Sequence, residues 1–155
     1  MGKLEVVQII SEVPLSKRSW VEARFFAWVL AGERIGLAYV VNGKSARRLL
    51  LDVANLHDRI AKGETVTDME VKKLHTQLRR QGKRSDSAGD NISSTSLLCA
   101  YYSTFFKARD RVEVALSWAD NAYAYYGGGG FAMPAAAADF FEKAEAKARE
   151  ICIGQ

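Results

Sequence analysis

Apolar positions recur every three to four residues through most of the chain, the spacing of helices with one buried face. No period-two alternation bounded by turn residues marks a hairpin. The stretch from Leu4 to Val13 is ambiguous: its β-branched residues suit a strand, while Leu4, Val7 and Ile10 make a helical stripe. With no second strand to pair with, a short helix limited by Pro14 is expected. Ser19-Trp20-Val21-Glu22 matches a capping box. The run behind it, through Phe25, Phe26, Trp28, Leu30, Leu37 and Val41, is apolar on all sides. That predicts a central helix ending at Asn42-Gly43, with Gly32 and Gly36 weakening it internally. A third helix is expected after Ser45, with Leu49, Val53, Leu56 and Ile60 on one face and Gly63 as its stop. Thr67-Asp68-Met69-Glu70 is another capping box, opening a fourth helix that buries Val71, Leu74 and Leu78 and ends at Gly82.

Residues 82–94 contain one sizeable apolar side chain, Ile92, and read as a flexible loop. Beyond them, positions 98, 101, 105, 108, 112, 115, 119, 122 and 126 alternate by three and four, all apolar or aromatic. A fifth helix from Ser94 to Tyr126 would be roughly 50 Å long, with alanine at most seam positions of its second half. Gly127–Gly130 stops it, and Pro134 suits the first turn of a last helix. There Ala137, Phe141, Ala144, Ala148 and Ile151 face back. The expected fold is all-α: a single bundle of five or six helices with a long fifth helix and a C-terminal antiparallel helical hairpin. It forms one domain over residues 1–155, interrupted by the 82–94 loop and a Gly-rich turn at 127–133. The last helix is shorter than the fifth. The uncovered part of the seam needs the earlier helices or a second copy, which leaves a homodimer open.

A chain of 155 residues with 48% apolar and 26% charged residues has the make-up of one globular domain and excludes global disorder. Cys99 and Cys152 lie far apart without CxxC spacing and read as buried thiols in a reducing compartment. The first fourteen residues lack the apolar core of a signal peptide. The stretch from Trp20 to Val41 has the length of a membrane span, but Glu33 and Arg34 at its middle each cost about 3 kcal/mol in a bilayer. A cytoplasmic protein without a membrane partner is expected.

No catalytic, metal or cofactor site is assigned. His57 and His75 lie outside any HExxH pattern and are expected at the surface or its boundary. Cys99 lacks a nucleophile signature and reads as a core thiol, and no GxSxG elbow occurs. Gly127–Gly130 lacks both the GK[ST] ending and the preceding strand of a phosphate loop. Asp110 with Glu113 and Glu142 with Glu145 interleave with basic residues as solvated faces. Asp120, between Trp118 and Tyr123, is either a buried acceptor or an edge residue. An enzyme would have to gather His57, His75, Asp120 and Cys99 around a polar pocket.

The asymmetric features point to binding instead. Lys72, Lys73, Arg79, Arg80, Lys83 and Arg84 run to Asp86 with no acidic interruption, against a net charge of only +4. The run either complements the dipole of a helix C-terminus, suits an acidic protein surface, or, as a further alternative, holds nucleic acid in a salt-sensitive way. Tyr125, Tyr126 and Phe131 flank the Gly-rich turn as a second contact candidate.

RRLLLDVANLHDRIAKGETVTDMEVKKL at 47–74, the long alanine- and tyrosine-rich helix and the closing KAREIC together resemble small all-helical bacterial and phage proteins labelled immunity proteins. The resemblance covers about two-thirds of the chain and contains no catalytic motif. It implies an all-α fold and a protein-binding or anti-defence role, with no site residues carried over. This chain departs from the group by its Gly-rich turn and by fewer tryptophans in the long helix. The expectation is a non-enzymatic protein-binding module, an anti-CRISPR-like inhibitor of a host protein complex. A nucleic-acid-binding helical protein using residues 72–84 is the alternative.

Overall fold

The computed structural model describes residues 2–32, 35–126 and 133–154. Among them every regular element is helical. The helices are α1 (Lys3–Ser11), α2 (Leu15–Ala31), α3 (Leu37–Val40), α4 (Lys44–Ala61), α5 (Asp68–Ser87), α6 (Asn91–Ser103), α7 (Arg111–Tyr126) and α8 (Met133–Ile153). The ambiguous first segment is a helix burying Val6 and Ile10.

The apolar run after Trp20 is central, as its pattern demands: Phe25, Phe26, Val29 and Leu30 of α2 are fully buried. Two details differ from the sequence expectation. The helix starts at Leu15, because Pro14 takes the N-cap position with φ −54°. Ser19 therefore lies inside the helix, and Glu22 turns to Arg111 instead of back to Ser19. The helix also stops at Gly32. A Cβ there would sit 2.3 Å from Cδ1 of Trp28, so the Trp28 indole takes the space any other residue would need. The single-turn α3 follows, and Arg47 closes it by donating to the carbonyls of Ala38 at 2.9 Å and Val41 at 2.7 Å.

Two glycines in the left-handed region end α4 and α5. Gly63 (φ +83°) and Gly89 (φ +73°) each sit in a Schellman turn. Glu64 N–H reaches the Arg59 carbonyl at 2.9 Å, and Asp90 N–H reaches the Ser85 carbonyl at 2.8 Å. Gly82 does not end the fourth predicted helix: α5 runs through it to Ser87. Asp90 then caps α6 by accepting from Ser93 N–H at 3.1 Å. The loop expected over 82–94 shrinks to the turn between α5 and α6.

The long fifth helix is two helices. Between α6 and α7, residues 104–110 form turns, although Phe105 and Ala108 keep the seam spacing. The break has a chemical cause. Ser103 Oγ donates to the Ala100 carbonyl at 2.7 Å and Thr104 Oγ1 to the Tyr101 carbonyl at 2.7 Å. Arg111 takes the Ser103 carbonyl at 3.2 Å. These side chains satisfy carbonyls that further helical turns would have used. A continuous 50 Å seam is therefore absent, and the homodimer argument built on its overhang loses its premise. The alanines still pack: Ala115, Ala119 and Ala122 of α7 and Ala144 and Ala148 of α8 are fully buried. α7 and α8 contact one another, with Tyr123 stacked on Phe140 at 4.3 Å between ring centroids. The Gly-rich turn lies, apart from Met133, outside the described residues.

Candidate functional site

All six cations of the basic run are exposed on α5. At 100° per residue they divide into two stripes on either flank of the helix. Lys72, Arg79 and Lys83 form one, and Lys73, Arg80 and Arg84 the other. Between them on the inner side, Leu78 and Ser85 are the only fully enclosed residues of α5. None of the six cations has a carboxylate within 4.0 Å among the described residues. Elsewhere on the surface Arg59 holds Glu70 at 2.6 Å, and Lys143, Lys147 and Arg149 pair along α8.

The first flank opens onto α6. There Arg79, Gly82, Lys83 and Asp86 edge a groove of about 560 Å³ whose floor and far wall are Leu78, Leu97, Leu98, Tyr101 and Tyr102. Gly82 widens it, since a Cβ at that position would meet nothing within 4 Å. The second flank opens onto α4. There Arg80 and Arg84 meet Arg48 around a smaller cleft of about 300 Å³, with Gln77, Gln81 and Asp52. Arg48 was not singled out from the sequence. Its neighbour Arg47 points about 100° away and is spent on α3.

The N-terminus of α5 is closed by a capping box and tied to α4 by Arg59. The Thr67 hydroxyl accepts from Glu70 N–H at 3.2 Å, and the Glu70 carboxylate accepts from Thr67 N–H at 2.9 Å, completing the capping box. Arg59 and these Thr67 donors hold the Glu70 carboxyl down at about 2.

Tyr125 and Tyr126 are exposed at the end of α7. They line neither α5 cleft. Phe131 lies outside the described residues. The sequence candidates thus separate into a basic helix with two flanking clefts and an aromatic helix end elsewhere.

The residues named for an enzyme reading line neither α5 cleft. Asp120 is half-buried on α7. Cys99 is buried, and burial pushes its thiol up to about 12. Among the described residues no cluster of His, Cys, Asp or Glu has the make-up of a metal site.

His57, expected at the surface, is fully buried. Its Nε2 lies 2.9 Å from Ser103 Oγ, and its ring packs on Phe26 and Phe106. Ser103 Oγ is also 2.7 Å from the Ala100 carbonyl, and with the hydroxyl donating there Nε2 carries the proton and donates to Ser103. Burial, with the Arg111 charge nearby, pushes the imidazole down to about 3, so it is neutral. His75 repeats the arrangement half-exposed. Its Nε2 lies 2.6 Å from Thr104 Oγ1, which donates to Tyr101. The ring stacks on Phe105 at 4.8 Å. Compared with known proteins, the chain matches no family model, no curated protein and no solved structure.

Proposed function

We propose that the protein is a non-enzymatic protein-binding module that engages an acidic surface of a host protein complex through α5, in the manner of an anti-defence, anti-CRISPR-like inhibitor. The observation that carries this reading is the α5–α6 groove. Leu98, Tyr101 and Tyr102 offer an apolar and aromatic floor, and Arg79 and Lys83 stand unpaired along its edge. A partner segment with apolar residues on one face and carboxylates on its flank complements both features. The rim cations set the approach rate and the salt dependence, and the tyrosines supply anchoring area. The resemblance to immunity proteins supports the same reading through its implied protein-binding role. A cytoplasmic location is part of the same reading, and no helix among the described residues is long and apolar enough to cross a membrane.

The test is capture from a bacterial host lysate treated with nuclease, comparing the unaltered protein with Arg79→Glu/Lys83→Glu and with Leu98→Asp. The expected result is one stoichiometric acidic protein, lost with either variant and retained by Lys143→Glu on α8. Capture that survives both groove variants overturns the surface assignment. Capture that vanishes with nuclease transfers the function to nucleic acid on the 72–84 run, which the two unpaired stripes along α5 would also suit.

A further inference from the structure

The second flank of α5 has a different chemistry. We propose that the α4–α5 cleft is a pocket for a phosphate monoester, the doubly charged terminal phosphate of a phosphorylated side chain on the protein partner. The inference rests on the reading that α5 docks a partner, and it adds a second recognition element to that helix.

Three guanidiniums from two helices define the cleft: Arg48 of α4, and Arg80 with Arg84 one turn apart on α5. None of them has a carboxylate within 4.0 Å or a side-chain hydrogen bond among the described residues, so their N–H groups are uncommitted. Asp52 also lines the cleft and reduces its formal charge to +2. Like charges gathered in about 300 Å³ repel one another, and a dianion relieves that repulsion. Planar guanidinium forks match the tetrahedral oxygens of a phosphate, and the Gln77 and Gln81 amides add neutral donors.

The charge count selects the class of phosphate. A monoester carries about −1.5 to −2 at pH 7 and matches the cleft, whereas a backbone diester carries about half of that. The lining argues the same way. Leu49 is its one apolar member, and no aromatic ring is present to stack a base. The tyrosines of this region belong to the opposite groove. The pocket therefore recognises the phosphate and not a nucleobase.

The experiment is an amide-resolved NMR titration of the whole chain with inorganic phosphate, with ionic strength held constant by sodium chloride. It is followed by competition with a phosphoserine peptide and its unphosphorylated twin. Saturable shifts are expected at the Gln77 and Gln81 side-chain amides. Arg80→Gln/Arg84→Gln should weaken phosphate about tenfold or more, while Arg79→Gln/Lys83→Gln leaves it unchanged. All four positions are exposed, so both variants keep the fold, which circular dichroism verifies. The phosphoserine peptide should compete and its twin should not. Shifts that fail to saturate, or that persist in Arg80→Gln/Arg84→Gln, overturn the pocket. An oligonucleotide without a terminal phosphate that competes as well as the phosphopeptide overturns the monoester assignment in favour of a diester backbone. The phosphate titration uses no partner, so its failure is distinct from failure of the groove variants in the capture experiment.

Discussion

His57 gives the sharpest quantitative prediction. In the folded chain the imidazole is sealed among Phe26, Phe106 and Ser103 and titrates at about 3. In the unfolded chain it titrates near the ordinary value of 6.5. Between these values the unfolded state binds a proton that the folded state refuses. The sign follows: the His57 contribution is fully present above pH 6.5 and is lost as pH falls from 6.5 toward 3. From pH 7 to pH 5 the loss integrates to about 2 kcal/mol for one fully shifted imidazole. The assay is urea unfolding of the unaltered protein and of His57→Leu at pH 7, 6 and 5. The leucine does not titrate, so subtracting the two series cancels the remaining groups. The unaltered protein should lose about 2 kcal/mol more than His57→Leu over this range. A long-range nitrogen–proton correlation should show the Nε2–H tautomer down to pH 5. Parallel stability curves for the two proteins would refute the burial argument. A proton found on Nδ1 would refute the assignment of Ser103 as acceptor.

Four further outcomes are expected. Gly82→Ala should stabilise the chain by about 0.5–1 kcal/mol in urea, because Gly82 is mid-helix with open space at its Cβ position. Gly89→Ala should destabilise it by about 1–2 kcal/mol in the same assay, since it forces a Cβ into φ +73°. Glu22→Ala leaves Arg111, only 4% exposed, as an unpaired buried cation and should lower stability by about 3 kcal/mol in the same titration. With a thiol reagent, half-buried Cys152 should react in the folded chain and Cys99 only after denaturant is added.

Local signals were legible where nothing distant competed with them. Thr67–Glu70 is the capping box its spacing describes, and Gly63 stops α4 as expected. Ser19–Glu22 has the same pattern and is not a cap. Pro14 begins the helix upstream, and Glu22 is claimed by Arg111, 89 residues away. The heptad spacing from Leu98 to Tyr126 marks the buried face of α7 at Val112, Ala115, Ala119 and Ala122. In α6 it misses that face, since Leu98 and Tyr101 are half-buried and Leu97, Cys99 and Ala100 are enclosed instead, and it is silent on continuity. The break depends on Ser103, Thr104 and Arg111 taking carbonyls. His57 looked peripheral because its partner lies 46 residues away on α6. The cations of α5 were all visible as a run. Their division into two flanks, the apolar floor of one and Arg48 in the other, required the packing of α4 and α6 against α5.

That packing also explains why the candidate sites fall on α5. A helix ordinarily owes its stability to a buried face, and α5 fully encloses only Leu78 and Ser85. It packs against α4 and α6 with half-buried Leu74 set on the core and His75 against Tyr101 and Phe105, while the capping box at Thr67 and the Schellman turn at Gly89 close its ends. The outer part of its circumference is free of core duty, so both flanks carry unpaired cations without burying charge. The neighbouring helices then give the two flanks different character. α6 presents Leu97, Leu98 and two tyrosines, and α4 presents Arg48 and Asp52. One helix thereby offers an amphipathic groove and an anion cleft on opposite sides.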